Sequence, residues 1–121
     1  MDRLLLFVGA TSAAMAVLVG GARAHLLAKR LAPFQLTMLE VGMRYQLAHA
    51  TGIILAAIML AHLDSSLPRV AGWGFVLGTL LFPIVLYTYA LTGKKIILKI
   101  SPIGGAVLLA SWLTLALGAL A

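Results

Sequence analysis

The sequence predicts an all-α integral membrane protein, built as an antiparallel bundle of four transmembrane helices. Hydrophobic residues make up 63% of the chain and charged residues 10%, whereas soluble domains are about 45–50% apolar and about 25% charged. Four uncharged runs each have the length of roughly 17–25 residues that a transmembrane helix needs; they are 4–22, 45–63, 70–93 and 100–121. These runs use up most of the chain, so we expect a single transmembrane domain over 1–121.

The four helices are expected at about 4–27, 38–63, 70–93 and 101–120. In the first, Ala22-Arg23-Ala24 has the form of a signal-peptide cleavage site. The uncharged run before it, however, is longer than the about 7–15 residues of a signal-peptide core. We therefore expect an uncleaved first helix.

Prolines and capping residues mark the later helices. Pro33 is expected to end the continuation of the first helix, and Thr37 with Glu40 has the spacing of a capping box for the second. Pro83 predicts a kink in the third helix, because it removes one backbone hydrogen bond. Ser101-Pro102 places a proline where the fourth helix begins.

The basic residues predict the orientation. Of nine Lys and Arg residues, only Arg3 and Arg69 lie away from the first and third connections. The positive-inside rule therefore places these connections in the cytoplasm and both termini on the non-cytoplasmic side. The candidates for contact with anionic lipid headgroups on the cytoplasmic face are Arg23, Lys29, Arg30, Lys94, Lys95 and Lys99.

Composition excludes several classes of function. The formal charge is +6, but the basic residues border apolar runs without a stripe of stacking aromatics, so no nucleic acid is expected as a partner. The absence of cysteine excludes disulfides and thiolate metal sites. Only three acidic residues are present, with no nucleophile elbow and no P-loop. We expect no enzyme activity.

Small residues are expected to hold the helices together. Lipid is as apolar as leucine, so membrane helices associate where small residues let their backbones approach. Such residues recur three or four apart in the first two helices and seven apart in the fourth. The candidate packing glycines are Gly20, Gly21, Gly52, Gly104 and Gly105.

The richest polar stretch opens the second helix. Glu40 precedes Arg44 by four residues, and Tyr45 precedes His49 by four, so these side chains form an arc around the helix. The candidate functional cluster is His25, Glu40, Arg44, Tyr45, Gln46 and His49.

Two interpretations of this cluster remain open. It is either an interfacial ion pair with an aromatic anchor and a hydrogen-bonded histidine, or a site for an ion, a proton or a lipid headgroup. His25 facing His49 would also suit a haem or a metal ion. No further ligand set accompanies these two histidines, so we expect no cofactor and no metal.

Four sequence blocks together resemble a known family. They are G-G-A-R-A-H at 20–25, E-x-G-x-R-Y-Q-x-x-H at 40–49, L-F-x-x-x-L-Y with A-L-T-G at 81–93, and S-P-I-G-G followed by S-W at 101–112. With these blocks the chain resembles the YgdD-like family (DUF423), which is related to a small mitochondrial transmembrane protein. The resemblance implies a four-helix protein of the bacterial cytoplasmic (inner) membrane and brings no established activity.

The functional expectation follows from the small extramembrane area and the missing catalytic groups. We expect an accessory, scaffold or interaction subunit, with membrane lipids and a larger membrane complex or a homo-oligomer as partners. The alternative is a small carrier, channel or lipid-binding protein that uses the polar cluster at the cytoplasmic end of helices one and two.

Overall fold

The computed structural model describes residues 2–121, and these are almost entirely helical. Four rods in this range are long and apolar enough to cross a membrane: Arg3–Leu27, Pro33–His62, Leu67–Thr92 and Lys95–Leu120. At about 1.5 Å of rise per residue, the shortest of them exceeds the roughly 30 Å of a hydrocarbon core. The prediction of four helices able to span a membrane is therefore confirmed.

Two of the rods change helix type along their length, and a third is broken into two α-helices. Helix α1 (Arg3–Ala22) continues through a π-helical turn, Arg23–Leu27, and α2 (Pro33–His62) is uninterrupted. The third rod comprises α3 (Leu67–Leu81) and α4 (Pro83–Thr92). The fourth begins with a 3₁₀ turn, Lys95–Ile100, and continues as α5 (Ser101–Leu120).

The start of α2 differs from the prediction of residue 38. Pro33 is the first residue of α2, where a missing backbone N–H costs nothing. The Gln35 carboxamide oxygen accepts from the backbone N–H of Ala32 at 2.9 Å and so caps this end. Thr37 is not the N-cap, because it lies inside α2 and its hydroxyl donates to the Pro33 carbonyl.

The third rod is broken at the position where Pro83 predicted a kink. Phe82 leaves helical geometry, with φ −119° and ψ −76°, directly before Pro83. Gly93 ends α4 in the left-handed region at φ 73°, a conformation that favours glycine.

Helices α3 and α5 pack with a small residue at each crossing point. A Cβ added to Gly104 would lie 2.6 Å from the Leu81 carbonyl oxygen. Further along the pair, Gly78 meets the Leu108 side chain and Gly74 meets Ser111. Close approach of two backbones gives these helices the dispersion contacts that replace hydrophobic burial in lipid.

Helix α1 also has glycines at its contacts with α2. A Cβ at Gly9 would lie 3.1 Å from the Ile53 side chain, and one at Gly20 would lie 2.7 Å from the Met43 sulfur. Gly52 of α2 in turn receives the ring of Phe75 from α3. Gly20, Gly52 and Gly104 therefore lie at helix contacts.

Two of the predicted packing glycines lie elsewhere. Gly21 is exposed, with no atom within 4 Å of where its Cβ would be. Gly105 has room for a Cβ, whose nearest neighbour would be the Phe82 ring at 3.9 Å. Each follows a contact glycine by one residue, and one residue turns a helix by about 100°. The prediction that Gly21 packs helices within this chain is therefore wrong, and Gly105 makes no tight contact.

The rods are buried to different degrees. Half of the apolar window of the third rod is buried inside the structure, against 17% for the first. Helix α1 packs along α2 and reaches α3 mainly through Leu5, which lies against Gly72. Most of the surface of α1 is therefore free to face lipid or another protein.

Candidate functional site

Two arginines share the carboxylate of Glu40. Arg44 donates to Glu40 Oε1 at 2.9 Å, and the Arg23 guanidinium lies 3.5 Å from Glu40 Oε2. Arg23 also donates from Nε to the Leu36 carbonyl at 3.0 Å. Arg23 belongs to the π-helical turn after α1, so these contacts fasten the end of the first rod to α2.

His49 lies in a group of aromatic rings. Its ring stacks on that of Tyr45 at 5.7 Å between centroids, with Phe75 at 5.7 Å and Trp112 at 5.9 Å. His49 Nδ1 lies 2.6 Å from the Tyr45 carbonyl oxygen. Because a carbonyl only accepts, Nδ1 carries a proton in this contact, and in the neutral ring Nε2 is then the acceptor. His49 joins α2 to the ring-bearing faces of α3 and α5.

Gln46 connects three helices. Its carboxamide oxygen accepts from the Tyr87 hydroxyl of α4 at 2.7 Å, and its Nε2 donates to the Ser12 hydroxyl oxygen of α1 at 3.2 Å. The Gln46 side chain is fully buried, so both bonds replace hydration that the bilayer cannot supply. Ser12–Gln46–Tyr87 is the polar bridge of the fold.

The structure divides five of the six predicted cluster residues among three groups and leaves His25 apart from them. Glu40 and Arg44 form the ion-pair group, Tyr45 and His49 the ring group, and Gln46 the polar bridge. His25 is exposed on the π-helical turn, whereas the ring neighbours of His49 come from α2, α3 and α5. The two histidines do not face each other, which removes the geometry of a bis-histidine haem site.

Sequence analysis singled out neither Ser12 nor Tyr87. One signal pointed to them. A glutamine inside an apolar span needs partners, and only a few hydroxyl-bearing residues of the neighbouring spans are available. Which of these it reaches depends on helix register, which the sequence does not contain.

Exposed basic residues lie in the connection between the first and second rods and in the connection between the third and fourth rods. They are Lys29 and Arg30 before α2, and Lys94, Lys95 and Lys99 around the 3₁₀ turn. Arg23, also predicted as a headgroup contact, is partly enclosed by Glu40 and Leu36. In residues 2–121, no group of three or more His, Cys, Asp or Glu side chains is arranged to hold a metal ion.

A cavity of about 250 Å³ lies beside the polar bridge. Residues of α1, α2, α3 and α4 line it, and most of them are apolar. Ser12 and Gln46 are part of its wall. Phe7 and Leu80, both more than half exposed, are also part of the lining, so the cavity opens towards lipid.

The family model described as "Protein of unknown function (DUF423)" matches residues 19–105. The chain belongs to this family. The UPF0382 membrane protein SSP2132 of Staphylococcus saprophyticus is 34% identical over 96% of each chain. The UPF0382 inner membrane protein YgdD of Escherichia coli K12 is 28% identical, over 98% of this chain and 91% of its own. No solved structure matches the chain.

Membership in DUF423 confirms the resemblance found in the sequence blocks. The relatives carry the names of membrane proteins, and that of Escherichia coli the name of an inner membrane protein. Together with four helices able to span a bilayer, this identifies a multi-pass protein of the bacterial inner membrane. The match at 19–105 contains Glu40 to His49 but not Ser12.

Removing one partner of the polar bridge is expected to destabilise the fold. Tyr87→Phe leaves the buried Gln46 carboxamide oxygen without its donor, at a cost of about 1–2 kcal/mol in the free energy of unfolding. SDS titration of protein in mixed micelles, followed by circular dichroism, measures this free energy.

Tyr89→Phe is the matched control for this prediction. Tyr89 is also buried in α4, but its hydroxyl makes no hydrogen bond among the described residues, so we expect little change. In the triple variant Ser12→Ala/Gln46→Leu/Tyr87→Phe, all three polar side chains of the bridge are gone and part of the loss is recovered. Equal stabilities of Tyr87→Phe and Tyr89→Phe would contradict the bridge.

Proposed function

We propose that this chain is a non-catalytic accessory subunit that packs its first span against a transmembrane helix of a larger membrane complex. The observation that supports this proposal is the one-sided packing of α1. Its inner face lies on α2, and its outer face carries a second line of small residues at helical spacing, interrupted by the exposed Val17. The members of this outer stripe are Ala10, Ala14, Gly21, Ala24 and Ala28, all exposed.

The outer stripe differs from an ordinary lipid-facing surface. Lipid-facing positions of membrane helices need no particular size, whereas helix contacts are enriched in residues small enough for backbones to approach. The intervals of three, four and seven residues keep the stripe on one side of the rod. Gly21 in its middle has open space at the position of a Cβ. This shape suits a partner helix at close range.

The polar cluster supports an accessory role better than transport. Glu40 is neutralised by two arginines, and the Gln46 oxygen and nitrogen both bond within the chain. A carrier or channel needs polar groups that a solute can reach along its path. Here these groups bond to one another across helices, and the cavity beside the polar bridge is lined mostly by apolar side chains and by no charged one. The carrier is the weaker alternative for this reason.

We also propose that the exposed basic residues contact anionic headgroups on the cytoplasmic side. Lys29 and Arg30 lie in one connection, and Lys94, Lys95 and Lys99 in the other. Each lysine or arginine near an anionic surface contributes about 1 kcal/mol of attraction. Together they would hold the polar end of the bundle at that leaflet.

This arrangement requires an antiparallel bundle with both termini on the non-cytoplasmic side. Two contacts support opposite directions for α1 and α2: Gly9 lies near Ile53, while Gly20 lies near Met43. Similarly, Gly104 lies near Leu81 and Gly118 near Pro68 in the α5 and α3 pair. The excess of basic residues at 23–44 and 94–99 supports their cytoplasmic placement.

Labelling of single cysteines tests this topology. The chain contains no cysteine, so Asp64→Cys and Lys95→Cys each introduce one reactive thiol. A membrane-impermeant maleimide should label Asp64→Cys on intact spheroplasts and Lys95→Cys only in inverted vesicles. The reversed pattern, or labelling of both from one side, would refute the topology.

Native mass spectrometry with native lipids tests the accessory role. We expect a defined complex that contains a second protein. Ala14→Leu enlarges the outer stripe, so it should reduce recovery of that protein by about tenfold, the equivalent of about 1.4 kcal/mol. Ala110→Leu makes the same change at an exposed position of α5 and should retain the complex.

Three results would count against the accessory role. One is a chain that is recovered alone, and another is a homo-oligomer that carries only lipid. The third is loss of the partner in Ala14→Leu and Ala110→Leu alike, since the outer stripe would then not be the contact.

A further inference from the structure

Ser12 differs from the other serines and threonines of the helices in the acceptor of its hydroxyl proton. Among the residues that the structure describes, each of those other serines and threonines donates to a backbone carbonyl three or four residues earlier. The Ser12 oxygen accepts from Gln46, but its own hydroxyl proton has no acceptor within residues 2–121. One donor of the polar bridge is therefore unused.

The unused donor belongs to the wall of the 250 Å³ cavity. Ser12 is the tenth of the 20 residues of α1, so about 15 Å of helix lies on either side of it. In a hydrocarbon core of roughly 30 Å, this position is near the midplane. Water and the ester groups of phospholipids are scarce at that depth, and a hydroxyl proton without an acceptor costs free energy there.

The cavity itself restricts what can supply the acceptor. Its lining contains no charged residue, so a carboxylate or phosphate would be buried without a counter-ion. A cavity of about 150 Å³ takes up benzene, so one of 250 Å³ accommodates a single ring with several substituents. The gap beside Phe7 and Leu80 leaves a path by which an apolar tail can reach the bilayer.

We propose that this cavity binds a neutral, ring-sized lipophile through a carbonyl oxygen that accepts the Ser12 hydroxyl proton. A membrane quinone has this chemistry: an uncharged ring, carbonyl oxygens and an apolar tail that keeps it in the bilayer. The site goes beyond the accessory role and does not depend on it, because the outer stripe of α1 is not part of the cavity.

The polar bridge explains why Ser12 would be positioned for this contact. Gln46 Nε2 fixes the Ser12 oxygen, and Tyr87 fixes the Gln46 oxygen, so the side chain of Ser12 is oriented from α4 through α2. Donor and ring-sized space are then fixed before a ligand arrives, which lowers the entropy lost on binding.

Binding of a benzoquinone with a decyl tail tests the proposal. The full chain is reconstituted in phosphatidylcholine nanodiscs, and the quinone bound in excess of empty nanodiscs is measured at increasing concentration. We expect saturation at one quinone per chain. Ser12→Ala should weaken this binding about tenfold, because the ligand loses its donor.

Two further variants separate the donor from the cavity. Thr11→Val changes a hydroxyl that lines the same cavity but already donates to the Phe7 carbonyl, so binding should stay within about twofold. Val76→Phe fills the cavity and leaves the polar bridge in place, so it should abolish saturable binding even if Ser12→Ala fails to fold. Circular dichroism checks the fold of each variant.

The proposal is overturned by any of three results. The first is uptake equal to that of empty nanodiscs at every concentration. The second is wild-type binding by folded Ser12→Ala or folded Val76→Phe. The third is competition by decylbenzene, which has a ring and tail but no carbonyl, as strong as that of the quinone; this would reduce the site to an apolar gap filled by lipid.

Discussion

The contact of Gly104 with the backbone of α3 shows the constraint on which the fold depends. Between helices in lipid there is no hydrophobic driving force, so attraction comes from atoms packed at close range. A single Cβ at Gly104 would meet the Leu81 carbonyl oxygen at 2.6 Å, and this crossing therefore requires glycine. Gly78 and Gly74 continue the contact along α3; on α1, Gly9 lies against the Ala50 carbonyl of α2, and Gly20 receives the Met43 side chain.

The second constraint is that polar groups within the bilayer need partners inside the chain. Gln46 satisfies it by joining Ser12 to Tyr87, and Glu40 does so between two arginines. These bonds connect α1 to the rest of the bundle, whereas direct contact between α1 and α3 is small. The polar cluster therefore holds the helices together. The surfaces of α1 that remain free are the ones for which we propose functions: the outer stripe for a partner helix and the cavity for a lipophile.

The sequence predicted what depends on single residues and missed what depends on register. Hydropathy located the four rods, and Pro83 located the break at Phe82, because both signals are local. The start of α2 was missed because Pro33 can end one helix or begin the next. Neither the choice between Gly20 and Gly21 nor the partners of Gln46 could be predicted, since both depend on which faces of two helices meet.

The most direct test of glycine-mediated packing compares two adjacent glycines of α5. Gly104→Ala introduces a Cβ against the Leu81 carbonyl, whereas the Cβ introduced by Gly105→Ala has its nearest neighbour, the Phe82 ring, at 3.9 Å. In an SDS titration, we expect Gly104→Ala to lower the free energy of unfolding by about 1–3 kcal/mol. Gly105→Ala should leave it unchanged or raise it by up to about 1 kcal/mol, because alanine favours the helix. Equal effects of the two substitutions, or a tolerated Gly104→Ala, would contradict the account.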